Sequence, residues 1–380
     1  MTFRIDRIEL FDLALPLAEP FIISGGIMRE RRSIVAVLRD GEGGVGYGES
    51  PPFELPFYSE ETLSGARELL VRVLAPRLVG SGFTGPEEVD AALRPGIRGN
   101  PFARAALETA AWDLEADRRD LGLADLLAER LGEPRSETVP CGVALGIPPD
   151  RRLETLATWV ESAVERGYRR VKIKVMPGWD AAPVEAAGRA LGRSGLPLTV
   201  DANGAYEWPR DEAALRGLDE AGLLYIEQPL PPEELVGHAE LAARLRTPVC
   251  LDETLRDARA ARQIESLAGP KVWNIKVHRV GGLSEVCRIH AVARRFGATL
   301  WAGTMPESGI GSQAALAAAS LPGFTYPSDL EPSARWFGAG SDVIELTMDE
   351  AGAMAVPGRS VRHLLDHGRL AEVSRLITAL

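Results

Sequence analysis

Lysine is nearly absent from this chain. Of 43 Lys and Arg residues, only Lys172, Lys174, Lys271 and Lys276 are lysines. Positive charge is otherwise supplied by arginine, which stays protonated in proteins, whereas a desolvated lysine can act as a base. Cysteine is scarce as well. Cys141, Cys250 and Cys287 are odd in number and not in metal-ligand spacing, which suits a reducing cytoplasm, and each reads as a small core residue rather than a nucleophile. No run approaches the ~20 apolar residues of a membrane helix. The opening MTFRIDRIEL has no basic segment followed by an apolar one, so no signal peptide is expected. A net charge of −11 argues against nucleic acid or an anionic membrane surface as partner.

What is present is enough apolar residue, 45% of 380, for a large core in two domains. Residues 3–16 alternate apolar and polar like a half-buried strand. SIVAVLRDGEGGVGYGES adds two more strands, from Ser33 and Val45, joined by a Gly-rich turn, and FIISGGIMRERR between the first strand and these reads as a loop. Ser59 is placed to cap a helix over SEETLSGARELLVRVLAPRL, and PFARAALETAAWDLEADRR is helical by its 3–4 spacing. Residues 1–130 thus form an α+β domain. From Val139, short apolar strands alternate with helices: VPCGVALGI, RRVKIKV, LPLTVD, LLYIE, PVCLD, VWNIK and ATLWAG, with an eighth near Phe324. Eight such units predict a (β/α)8 barrel over 131–335 in an α/β chain. The remainder, 336–380, carries a strand-like DVIELTM and a helical VRHLLDHGRLAEVSRLITAL, and is expected to pack back on the first domain.

Charged residues end these strands in phase. Lys172 and Lys174 close RRVKIKV, followed by Asp201, Glu227, Asp252 and Lys276 at intervals of 27 (201 − 174), 26 (227 − 201), 25 (252 − 227) and 24 (276 − 252) residues. That is the length of a strand, a helix and two loops, so the charges fall at the C-terminal strand ends, where a barrel keeps its active site. Asp201, Glu227 and Asp252 come from consecutive strands. Three clustered anions repel, and an all-oxygen set of this kind calls for Mg²⁺, or Mn²⁺, rather than Zn²⁺. Lys174 and Lys276 flank the set, one strand before it and one after, and a cation and neighbouring ammonium groups would lower a lysine pKa there towards neutrality. Lys172 and Lys174 share a face of their strand, so one can hold charge while the other moves a proton. The chemistry these parts support is metal-assisted abstraction of a proton alpha to a carboxylate.

The KIK run at Lys172–Lys174, the Asp201/Glu227/Asp252 set and the facing Lys276 resemble the muconate-lactonizing-enzyme subgroup of the enolase superfamily. DANGAY, IEQPLPPEELVGHAEL, TPVCLDET, NIKVHRVGGLSE and MPESGIG look most like its o-succinylbenzoate synthase / N-acylamino acid racemase family. The resemblance implies a capping role for residues 1–130 and assembly from identical subunits. It also implies Lys174 as the α-proton base, with Lys276 as the opposite acid/base or a cationic stabiliser, acting on a small carboxylate. Arg279 matches a feature of racemase-capable members. Asn203, Thr304, Met305, Glu307, Ser308, Gly309 and Ile310 are candidate substrate-binding residues, with the FIISGG segment over the barrel mouth. Ala144 stands where relatives often have serine, and AVPGRSVR departs from their closing sequence. A dipeptide epimerase or lactonizing enzyme would use the same base and metal, with Ser328-Asp329-Leu330-Glu331 as a loose substrate-ammonium site. A Schiff-base aldolase built on Lys276 and a catalytically silent binding barrel are further alternatives.

Overall fold

The computed structural model describes residues 2–23 and 26–380. Ser24 and Gly25, the centre of the FIISGG segment, lie outside the described residues. On either side of them the chain is extended rather than looped. Strand Arg7–Ile23 pairs antiparallel with Gly26–Arg39, and the ladder resumes at Phe21↔Met28 after a register shift beyond Pro16. Val45–Ser50 pairs on the other side of Gly26–Arg39, and Ser374–Ala379 pairs with the outer edge of Arg7–Ile23.

Helix Pro101–Arg118 packs on this sheet because small residues meet on both surfaces. A Cβ at Gly46 would sit 2.0 Å from the carbonyl oxygen of Ala110, and one at Gly48 2.1 Å from that of Ala106, so only glycine admits the helix backbone. Pro at the first helical position costs no hydrogen bond. The first-turn amides of Phe102 and Ala103 are taken by Glu61 at 2.8 Å each. Leu70, Leu74, Ala103, Ala106 and Leu107 close the core beneath.

Several local readings give way to tertiary demands. The cap of the first helix is Thr62, which accepts from the Gly65 amide, not Ser59, and the helix widens to a π turn at Leu70–Leu74 and then tightens to a 3-10 turn at Ala75–Arg77. No strand forms at DVIELTM, whose Asp342 instead holds the start of another helix. The long terminal helix is cut to His367–Val373, after which Ser374–Ala379 becomes a strand. Its β-branched Ile377 and Thr378 favour that state, and the unpaired edge of Arg7–Ile23 supplies the backbone partners that an exposed final helix turn would lack.

The barrel is a curled parallel sheet in strict chain order: Gly142–Leu145, Arg170–Lys174, Leu198–Asp201, Ile226–Glu227, Val249–Leu251, Val272–Ile275 and Thr299–Ala302. The stretch 324–329 closes it. Phe324 bridges to Leu300 of the seventh strand, Ser328 bridges to Cys141 just before the first, and the Asp329 amide donates to the Ala302 carbonyl at 2.8 Å. VPCGVALGI divides in two, since Thr138–Pro140 leaves the barrel to pair with Ala353–Ala355. Cys141 and Cys250 are buried and all three thiols are free. Burial pushes those of Cys141 and Cys287 up to about 12, which keeps them inert. Among the described residues no helix is long and apolar enough to cross a membrane.

Candidate active site

Register carries the charged residues to one rim. Lys174 pairs across the sheet with Asp201, and Asp201 with Glu227. Asp252 follows the fifth strand by one residue, and Lys276 the sixth. The side chains meet as ion pairs. Lys172 Nζ lies 2.8 Å from Glu227 Oε2, 2.6 Å from Asp329 Oδ2 and 3.8 Å from Asp201 Oδ2, and 4.7 Å over the ring of Trp301. Lys174 Nζ is 2.7 Å from Asp201 Oδ2 and also bonds Asn203 Oδ1. Lys276 Nζ is 2.9 Å from Asp252 Oδ2 and 3.0 Å from the hydroxyl of Tyr58. The two lysines of the KIK run thus differ: the Lys172 side chain is 5% exposed and hemmed in by acids, whereas Lys174 is 34% exposed at the mouth. Of these two, Lys174 is the one exposed towards the mouth.

Five carboxylates (Asp201, Glu227, Asp252, Glu253, Asp329) face five cations (Arg170, Lys172, Lys174, Lys276, Arg279) in this region. The balance sets the titration. Burial, then Asp201, raises the Glu227 carboxyl. Burial would also raise Asp201, but Lys174 and Lys172 outweigh it and hold it low. The lowering of a lysine pKa expected above belongs to a site that holds a cation; among the protein's own groups Lys276 is moved the other way. Burial alone would lower it, but Tyr58, Glu253 and Glu227 outweigh burial and push its ammonium up.

As the side chains stand, each acid is drawn to a neighbouring cation. No three His, Cys, Asp or Glu groups among the described residues are gathered closely enough to hold a metal ion. The donors nevertheless fit one. They are all carboxylate oxygens on adjacent strand ends, as Mg²⁺ or Mn²⁺ prefers. Beside them Glu253 Oε2 is buried and accepts no hydrogen bond among the described residues, whereas Asp252 Oδ2 faces the Lys276 ammonium at 2.9 Å. Such an arrangement is costly without further positive charge.

The candidate substrate residues separate by location. Asn203 sits at the mouth in a left-handed conformation (φ 43°), with its amide on Asp201 at 2.9 Å and its side chain spanning Lys174 and Glu253. Thr304 donates to the Asp329 carbonyl at 3.1 Å, and Met305 joins Phe53 and Phe102 in an apolar wall completed by Met28, Phe57 and Tyr58. The others are held by contacts within the protein. Arg279 is buried behind Asp252, paired with its carboxylate and donating to the Asn274 carbonyl at 2.8 Å. Glu307 is turned inward onto the Met305 amide at 2.6 Å, and burial pushes its carboxyl up to about 7. Ser308 caps helix Gly309–Ala319 and bonds Glu49 at 2.6 Å, and Ile310 belongs to the barrel core. Gly309 lies under Ile344, whose carbonyl oxygen would be 2.1 Å from an added Cβ. Gly309→Ala is therefore expected to lower the thermal unfolding midpoint by several degrees, since backbone rather than a pliable side chain must move. An unchanged melting curve would contradict this.

Tyr58, Glu253, Asn274 and Asp329 belong to the site and carry no periodic signal. Asn274 donates to Glu227 Oε1 at 2.8 Å from within the sixth strand, a polar residue in an otherwise apolar VWNI that marks it in retrospect. Ala144 meets Glu331 through its amide, at 3.4 Å.

Residues 7–128 match the family model of the mandelate racemase / muconate lactonizing enzyme N-terminal domain, and residues 155–360 match that of the enolase C-terminal domain-like family. The chain is 42% identical over 93% of its length to an N-succinylamino acid racemase of Thermus thermophilus, covering 92% of that protein. It is 37% identical over 88% of its length to an o-succinylbenzoate synthase of Bacillus subtilis, covering 87% of that protein. A solved enolase-superfamily member from Listeria innocua superposes with a TM-score of 0.91 at 32% identity, over 100% of this chain and 98% of that one. With both domain models matched and relatives aligned nearly end to end, the chain belongs to the muconate-lactonizing-enzyme subgroup of the enolase superfamily.

Proposed function

We propose that the protein removes the α-proton of a small carboxylate held between Lys174 and Lys276. The resulting enediolate is reprotonated on an N-acylamino acid, or loses its β-hydroxyl on the cyclohexadiene precursor of o-succinylbenzoate. Membership of the subgroup makes the chain an enzyme of lyase or racemase type. The observation that carries the finer reading is that the two lysines stand at opposite ends of the acidic row, one beside Asp201 and the other beside Asp252. Inversion at carbon needs a proton carrier on each face, and dehydration needs only one. Asp201, Glu227 and Asp252 would hold Mg²⁺. A divalent cation in that place supplies charge neutralisation as the second negative charge develops on the substrate carboxylate. Lys172, locked between Glu227 and Asp329, keeps the floor of the site electrically balanced. Lys174, the more exposed amine, takes or returns the proton, and Tyr58 covers Lys276 and limits access of water. The reading includes action in a reducing cytoplasm as an assembly of identical subunits.

The dipeptide alternative is not favoured by the stretch that closes the barrel and the residues just after it. Asp329 is committed to Arg170 and Lys172, and Glu331 is buried beside Ala144, so neither is free to receive a substrate ammonium. Incubation in D₂O with N-succinyl amino acids, dipeptides and the cyclohexadiene acid tests the reading. Deuterium is expected at Cα of the N-succinyl compounds, with o-succinylbenzoate formed from the third substrate, and both should stop on EDTA treatment and return with Mg²⁺. Exchange confined to dipeptides, or persisting in EDTA, would sink it.

A further inference from the structure

Arg31 lies on strand Gly26–Arg39, is 3% exposed, and among the described residues feels Glu49 and Glu307 nearby without a hydrogen bond to either. All its donors go to backbone carbonyls. Nε reaches Met305 O at 3.2 Å and Pro306 O at 3.1 Å. Nη1 reaches Arg32 O at 2.8 Å and Pro52 O at 3.1 Å, and Nη2 reaches Met305 O at 3.0 Å and also Pro51 O. Its guanidinium stands 4.7 Å over the ring of Phe53. One buried cation thus joins three segments distant in sequence: the second capping strand, the turn after the third, and the loop after the seventh barrel strand.

Glu49 on the neighbouring strand complements it. It accepts from the Ser308 amide at 3.2 Å, the Ser308 hydroxyl at 2.6 Å and the Gly311 amide at 2.9 Å. The capping sheet therefore grips residues 305–311 by their carbonyls with a cation and by their amides with an anion. What this grip holds in place is the apolar wall of Phe53, Met305 and Met28, which continues through Tyr58 to Lys276.

We propose that Arg31 is a positioning residue for substrate selection: it fixes the Phe53–Met305 wall against which the side chain of an N-acylamino acid rests. The inference rests on the proposed function. A lysine cannot replace it, because a compact ammonium with three donors cannot span carbonyls that a planar five-donor fork reaches together. With the wall loosened, a large apolar side chain loses its seat while a methyl loses little. The reacting carboxylate and α-carbon are held elsewhere, so the loss falls on KM rather than kcat.

The experiment compares wild type with Arg31→Lys and Arg31→Met in D₂O exchange of N-succinyl-phenylalanine and N-succinyl-alanine. In either variant kcat/KM for the phenylalanine compound is expected to fall about tenfold through KM, and that for the alanine compound less than about twofold. A lower melting temperature with an unchanged phenylalanine-to-alanine ratio would make Arg31 merely structural and overturn the inference, leaving the functional reading intact. Wild-type protein that exchanges neither compound would instead overturn that reading and this inference with it. Should neither variant fold, hydrogen–deuterium exchange of the wild type decides. Added N-succinyl-phenylalanine should protect 28–34, 51–58 and 303–311 together and more than N-succinyl-alanine does, and equal or independent protection would refute the proposal.

Discussion

Lys174→Ala and Lys276→Ala should each reduce racemisation of an N-succinyl amino acid by about 10³-fold or more, yet differ in what survives. Loss of a positioned acid or base typically costs 10²–10⁴-fold, and inversion needs both groups in one turnover. Each variant keeps the lysine at one face. It should therefore still wash deuterium into the enantiomer whose α-hydrogen faces the remaining amine, since the protonated amine, carrying solvent deuterium, returns a deuteron to the same side without inversion. The two variants should have opposite enantiomer preferences, because Lys174 is tied to Asp201 and Lys276 to Asp252 at the two ends of the row. Dehydration should separate them further, stopping with the variant that lacks the base and persisting at a reduced rate in the other. Each substitution also leaves a carboxylate without its ammonium, so circular dichroism and metal binding must be shown unchanged first. The same enantiomer preference in both variants would place both lysines on one face and end the two-base mechanism.

Why the lysines were legible in the sequence while their neighbours were not has a physical answer. A parallel barrel repeats strand, helix and loops at nearly constant length, so residues confined to strand ends recur in phase, and Lys174, Asp201, Glu227, Asp252 and Lys276 do so. Scarcity of lysine sharpened the signal. Tyr58 meets Lys276 across 218 positions and Arg31 meets Met305 across 274, and no local period encodes such contacts. The segment 304–310 was recognisable as lying by the mouth. Its side-chain directions were not, because they are set by Glu49, Arg31 and Asp342 arriving from elsewhere.

Local helical pattern misled most at the C-terminus, for a related reason. VRHLLDHGRLAEVSRLITAL has helical spacing, but its last residues are worth more as the outer strand of a sheet whose edge would otherwise be bare. Propensity loses where tertiary hydrogen bonds are on offer.

Asp329→Asn is expected to be among the most destabilising conservative substitutions in the molecule, at about 3–5 kcal/mol for removal of one partner from a buried charge cluster. Asp329 neutralises two buried cations: Arg170, whose side chain is 0% exposed, and Lys172, 2.6 Å away. Burial opposes ionisation of Asp329, but Arg170 and Lys172 outweigh it and hold its carboxyl well below the usual range. The sign of the pH dependence follows. A carboxyl depressed in the folded state contributes stability that is full above its unfolded pKa of about 3.9 and drains away as pH falls towards the folded value. Denaturant unfolding of wild type and Asp329→Asn should therefore differ by a constant amount above about pH 5 and converge as pH falls below about 4. The substitution also frees Lys172 to lean further onto Glu227, so metal affinity should fall although Asp329 is not among the proposed ligands. A gap that stays constant down to pH 3, or one smaller than about 1 kcal/mol at pH 7, would show that Arg170 and Lys172 are balanced by other groups and that Asp329 is dispensable to the site's charge balance.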